Sequence, residues 1–200
     1  VQSPASQEVL GILDNEQERL VRFNPDKQII IEGPAGSGKS IVLVKRALYL
    51  QELHPEWQIG IFCFNVVMAN YLRTLFNQEK DDREVAISHF NGISSLKLDP
   101  YSLDAILIDE GQDVTQEHLL KINNLLNPET ASLTLFYDPM QAIYDNGRDI
   151  EALLLKTGFN IENTKQLVRQ QRSVQMITAL TYYEAVIRPD EPLDRIVKGV

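Results

Sequence analysis

Apolar positions along this chain fall into two rhythms. Short, nearly continuous apolar runs at 28–31, 56–64, 85–88, 105–108 and 132–137 read as strands buried on both faces, as in a parallel sheet. Between them lie stretches with apolar residues at helical spacing: 41–50, 66–76 with Met68, Leu72 and Leu75 inward, 116–126 and 150–155. Ahead of the first strand, Val9, Leu10, Ile12, Leu13, Leu20 and Val21 predict one or two amphipathic helices within 6–23. Strands alternating with helices over this length predict an α/β fold, a doubly wound and mostly parallel sheet flanked by helices. Ligands in such sheets bind beyond the carboxyl ends of the strands. The charged stretch 78–84 reads as a solvated loop, and 174–187 as a further helix. A boundary falls near 158–175, so residues 1–165 are expected to form one domain and 166–200 the start of a second, truncated one.

The connection between the first strand and its helix carries the chemistry. Gly33, Pro34, Ala35, Gly36, Ser37, Gly38, Lys39 and Ser40 spell G-x-x-x-x-G-K-S, the pattern that lets backbone N–H groups wrap phosphates. Lys39 can reach the β- and γ-phosphates, the Ser40 hydroxyl can ligate magnesium, and the helix N-terminus turns its positive end to the same place. A nucleoside triphosphate is the expected ligand, with ATP and Mg2+ as cofactors. Such a loop needs a partner that holds the metal and prepares water, and Asp109-Glu110 stands at the end of an apolar run. Asp109 would hold magnesium and Glu110 would orient and deprotonate the attacking water.

Composition adds bounds. The 200 residues carry a formal charge of −9, which argues against nucleic-acid binding by bulk electrostatics and leaves room only for a local basic groove. No apolar run is long enough to cross a bilayer and the polar N-terminus does not read as a signal peptide, so a cytoplasmic protein without a membrane partner is expected. The single cysteine, Cys63, lies in an apolar run and reads as core. His54, His89 and His118 show no metal-ligand spacing. Phe62, Phe64 and Trp57 read as core, with Phe64 the exception to expect because it sits at a strand end.

The segment Asp109-Glu110-Gly111-Gln112-Asp113 resembles the D-E-x-Q-D motif of superfamily 1 helicases of the UvrD/Rep type. Other matches follow in the family's order. Gln17 resembles the glutamine that reads the adenine edge. The run from Ile61 to Asn65 and Ser88-His89-Phe90 resemble strand-end motifs that contact single-stranded nucleic acid. Tyr137-Asp138-Pro139-Met140-Gln141-Ala142-Ile143-Tyr144 resembles G-D-x-x-Q-x-I-Y, whose glutamine senses the γ-phosphate. The run from Leu167 to Ser173 resembles L-x-x-N-Y-R-S, whose arginine, here Arg172, approaches the γ-phosphate from the neighbouring domain. The resemblance covers about residues 10–175 and implies a RecA-like P-loop NTPase domain. It makes Lys39, Glu110, Gln141 and Arg172 catalytic, and Phe64, Asn65, His89 and Tyr144 candidate nucleic-acid contacts. Ile41 and Gln171 stand where the family often has the arginine and tyrosine that sandwich adenine, and Val66, Val67 and Met68 replace polar strand-contacting residues. The adenine platform and the nucleic-acid surface are correspondingly thinner.

These features imply ATP binding and hydrolysis by the N-terminal motor domain of a helicase or translocase. Single-stranded nucleic acid, DNA favoured, would be its partner, with a protein partner or further domains of a parent chain beside it. Residue 1 is Val, and the second-domain motifs do not follow before Val200, so the chain is expected to be a piece that hydrolyses slowly and unwinds nothing alone. A regulatory nucleotide switch is the competing reading. A small-molecule kinase fits less well, because Glu110 is placed for water and no arginine-rich lid is evident.

Overall fold

The computed structural model describes residues 13–78, 84–141 and 149–167. Six strands, β1 (Gln28–Glu32), β2 (Ile59–Cys63), β3 (Val85–His89), β4 (Ala105–Ile108), β5 (Ser132–Tyr137) and β6 (Asn163–Gln166), form one sheet in the order β3-β2-β4-β5-β1-β6, every pairing parallel. Alternate residues feed opposite faces. Ile29 and Ile31 of β1 and Leu107 of β4 join one core with helices α1 (Asn15–Arg22), α2 (Lys39–Leu53) and α3 (Val66–Gln78). Ile30, Ile106 and Ile108 join a second core with α4 (Gln116–Leu125) and α5 (Ile150–Lys156). Continuous apolar runs are what a strand covered on both sides requires.

The expected strands and helices are present with ends shifted by a few residues, the largest change being at 56–64. There the strand starts only at Ile59, because Glu56 lies in a turn and Trp57 stacks on His54, ring centroids 3.9 Å apart. The helix expected before β1 is seen as α1, while Val9, Leu10 and Ile12 lie outside the described residues. So do 79–83 of the charged loop and the helix expected at 174–187. Strand β6 was not foreseen. Its sequence, Asn-Thr-Lys-Gln, has no apolar pattern, and it is held by backbone pairing to β1, with Leu167 just beyond it buried in the first core.

Two sets of contacts fix α1, one local and one reaching the sheet. Asp14 and Gln17 form a capping box at its start. At its end the fully buried Arg46 of α2 donates to the carbonyls of Leu20, Val21 and Asn24 at 3.0–3.1 Å and to Thr134 Oγ1 of β5 at 2.7 Å. Its acceptors include last-turn carbonyls of α1, where a cation complements the helix dipole. Burial draws this guanidinium down to about 10, and the nearby Tyr49 and Asp26 oppose the shift. Among the described residues no helix is long and apolar enough to cross a membrane.

Candidate active site

Three adjacent strands, β4, β5 and β1, deliver their following loops to one place at the carboxyl edge of the sheet. The loop after β1 is the glycine-rich segment. Gly38 has φ +90° and opens α2, and a Cβ there would stand 2.5 Å from Gln17 Nε2, so the position demands glycine twice over. Gln17 Nε2 donates to the Ser37 carbonyl at 3.2 Å, while its Oε1 accepts from the Asp14 N–H. The residue expected to read adenine is thus 2% exposed, with both ends of its amide engaged by the chain. The Ser37 hydroxyl is buried and has no hydrogen-bond partner among the described residues.

Lys39 is 7% exposed and folded back along its own loop. Its Nζ donates to the Gly33 carbonyl at 2.8 Å and the Pro34 carbonyl at 3.2 Å, and lies 3.8 Å from Asp138 Oδ2. The two residues expected to hold magnesium meet: Ser40 Oγ donates to Asp109 Oδ2 at 3.0 Å. Asp109 is fully buried, and burial, with the like charge of Glu110 second, pushes its carboxyl up to about 6. The Ser40 hydroxyl, the Glu110 N–H and Lys39 pull the other way.

Glu110 turns the chain. Its φ of 53° is left-handed, which is uncommon for a residue with a side chain, and it leads into a 3-10 turn at Gly111–Asp113. Gln112, within that turn, donates from Nε2 to Glu110 Oε2 at 2.6 Å and to Gln141 Oε1 at 3.2 Å, while its Oε1 accepts from the Asp138 N–H at 3.2 Å. Gln141 Nε2 in turn donates to Asp138 Oδ2 at 2.9 Å. Glu110 and Gln141 therefore belong to one network, and Gln112 and Asp138 are members that sequence reasoning quoted within motifs without giving them a role. Amide residues beside acidic ones were the available signal.

The loop, Ile41, Tyr71, Glu110 and Gln141 line a cleft of about 310 Å³. A larger hollow of about 560 Å³ opens at the opposite ends of β2 and β3, beside Ile59, Arg73, Val85 and Leu103, and none of the residues expected to bind nucleotide lines it.

The remaining expected contacts are spread along the same edge. Phe64 is half exposed and Asn65 is exposed, its Oδ1 accepting from the Met68 N–H to cap α3. His89 ends β3 half-buried, its ring against Gly92. Tyr144 and Arg172 lie outside the described residues. Cys63 is buried, and burial, with Asp109 adding to it, pushes its thiol up to about 12.

A parallel, doubly wound sheet with a phosphate loop after one strand and an acidic pair after a near neighbour defines a P-loop NTPase. The family model described as an AAA domain matches residues 17–146, and the chain belongs to that family. Among solved structures, the UvsW helicase from bacteriophage T4 is similar with a TM-score of 0.59 and 14% identity, over 76% of this chain and 59% of that one. The Pif1 helicase from Candida albicans is similar with 0.55 and 16%, over 94% and 47%. The Pif1 helicase from Bacteroides, solved with ADP-AlF3 and single-stranded DNA, is similar with 0.55 and 15%, over 86% and 46%. These likenesses are of fold, and the chain spans about half the length of those proteins. Family and fold agree with the P-loop NTPase domain that the sequence resemblance implies. No curated protein matches the chain.

Proposed function

We propose that this chain is the ATP-binding and hydrolysing motor domain of a UvrD-like superfamily 1 helicase or translocase that acts on single-stranded nucleic acid, DNA favoured. The carrying observation is the convergence of Lys39, the Ser40–Asp109 pair, Glu110 and Gln141 on one cleft at the ends of neighbouring strands. The loop amides would bind the phosphates, and within that loop the buried Ser37 hydroxyl has no hydrogen-bond partner among the described residues. Lys39 would exchange its loop carbonyls for phosphate oxygens. Glu110, oriented by Gln112, would accept the proton of the attacking water, and Gln141 would report whether a γ-phosphate is present. Arg172 would complete the charge from the neighbouring domain.

Magnesium fits this donor set. One hydroxyl and one carboxylate, with no cluster of three or more His, Cys, Asp or Glu among the described residues, suit an ion that keeps water and phosphate oxygens in its shell. When bound it would neutralise charge on the transferring phosphoryl group.

The deciding experiment is ATP turnover with and without single-stranded DNA or RNA, using Lys39→Ala and Glu110→Gln as controls. Strand-stimulated turnover lost in both variants supports the motor; salt should weaken that stimulation. Tight ATP binding with no response to either strand moves the reading to a nucleotide switch. One observation favours the switch: Val66 and Val67, 52% and 77% exposed, present apolar rather than basic surface beside Phe64.

A further inference from the structure

Asp138 follows β5, is 1% exposed, and spends its carboxylate on three partners. Oδ1 accepts from the Met140 N–H at 2.9 Å, Oδ2 accepts from Gln141 Nε2 at 2.9 Å, and Oδ2 stands 3.8 Å from Lys39 Nζ. The first two contacts need an acceptor oxygen each and no charge. The third needs the charge: among the described residues Lys39, itself buried, donates to the Gly33 and Pro34 carbonyls, and Asp138 is the carboxylate that stands within ion-pair distance of it, with Asp109 a second charge it feels. A buried ammonium with neutral acceptors alone is costly, and a carboxylate at this distance relieves it.

We propose that Asp138 is a built-in counter-ion of the phosphate loop, which pairs with Lys39 and competes for it with an entering polyphosphate. The inference rests on reading the cleft as a polyphosphate site and makes Asp138 a positioning residue that acts through Lys39. Every polyphosphate that recruits Lys39 must first separate it from Asp138, so the carboxylate lowers affinity for phosphate chains. It keeps a non-specific anion from settling in the loop. The same oxygen holds Gln141, so departure of Lys39 changes the charge felt by the Gln141 amide and links occupancy of the loop to the rest of the network.

The test is calorimetric titration of the full chain with tripolyphosphate, without metal. Asp138→Asn keeps the volume, removes the charge and gives up one of the two acceptors, and should bind tripolyphosphate about tenfold tighter than the wild type, a modest share of what a buried ion pair at this distance contributes. In a Lys39→Met background the same change should leave affinity where Lys39→Met alone puts it, because the carboxylate then has no cation to hold. Unchanged or weaker binding by Asp138→Asn, or tightening that persists without Lys39, overturns the proposal. Should Asp138→Asn fail to fold, Asp138→Glu keeps the charge and should bind tripolyphosphate within about threefold of the wild type; a tenfold gain there overturns it. ATP titration of the wild type is read separately: tripolyphosphate affinity that responds to Asp138→Asn as expected, without ATP binding, sinks the functional reading alone.

Discussion

Ser40 and Asp109, separated by 69 positions, share a hydrogen bond of 3.0 Å. The hydroxyl at the start of α2 and the carboxylate beyond β4 are therefore in direct contact, the pair proposed to hold magnesium, and three consequences concern Asp109 and its neighbour.

Asp109 titrates near 6, so binding that uses its carboxylate should weaken as pH falls. Magnesium-dependent ATP affinity should be full at pH 7.5 and drop several-fold toward pH 5.5, with protons released on binding near pH 6. Titration calorimetry in buffers of different ionisation enthalpy checks both.

The sign for stability is the opposite. The folded-state value lies above the ordinary 3.8, so the stabilisation tied to this group is fully present below that value and lost as pH rises through about 6. At neutral pH the buried charge is a burden, and Asp109→Asn should stabilise the empty protein by about 1–3 kcal/mol while abolishing the metal-dependent part of ATP binding. Thermal melts with and without Mg·ATP separate the two effects.

Glu110→Gln keeps the volume and the ability to meet Gln112 but removes the base. ATP should still bind within a few-fold, and single-turnover hydrolysis should fall by about 10²–10⁴. Loss of both binding and hydrolysis would instead mark Glu110 as a structural residue.

Gly38→Ala places a methyl group at a positive φ and 2.5 Å from Gln17 Nε2. A cost of about 1–3 kcal/mol is expected, together with loss of nucleotide binding, because the loop must turn there to present its amides. Melting temperature and ATP affinity should fall together.

Arg46→Met retains bulk and removes the guanidinium's bonds to three carbonyls and the Thr134 hydroxyl, although the Leu20 and Asn24 carbonyls each keep a long backbone bond, from the Phe23 and Lys27 N–H. Destabilisation of about 3 kcal/mol or more is expected, and Arg46→Lys should rescue little of it, since one ammonium cannot reproduce the guanidinium fork. Denaturant unfolding followed at Trp57 measures both variants.

How much of this was legible in the sequence depends on which interactions hold each element. The strands from β1 to β5 and the helices between them were readable because burial on both sheet faces imposes long apolar runs, and an amphipathic helix imposes its own spacing. The phosphate loop and Asp109-Glu110 were readable because close approach to phosphate and metal restricts residue type at fixed positions. Strand β6 was not, since Asn-Thr-Lys-Gln is recruited by backbone pairing to β1 and carries no pattern of its own. Nor were the role of Gln112, the enclosure of Gln17, the retreat of Lys39 to its loop carbonyls or the counter-charge of Asp138, which arise between residues far apart in the chain. By itself the sequence determined the alternation of elements and the identities of the groups able to handle phosphate, because those follow from local periodicity and local chemistry. Only the tertiary structure decided which groups meet in the site and what charge each one feels, because distance and burial are set by the packing of β4, β5 and β1 side by side.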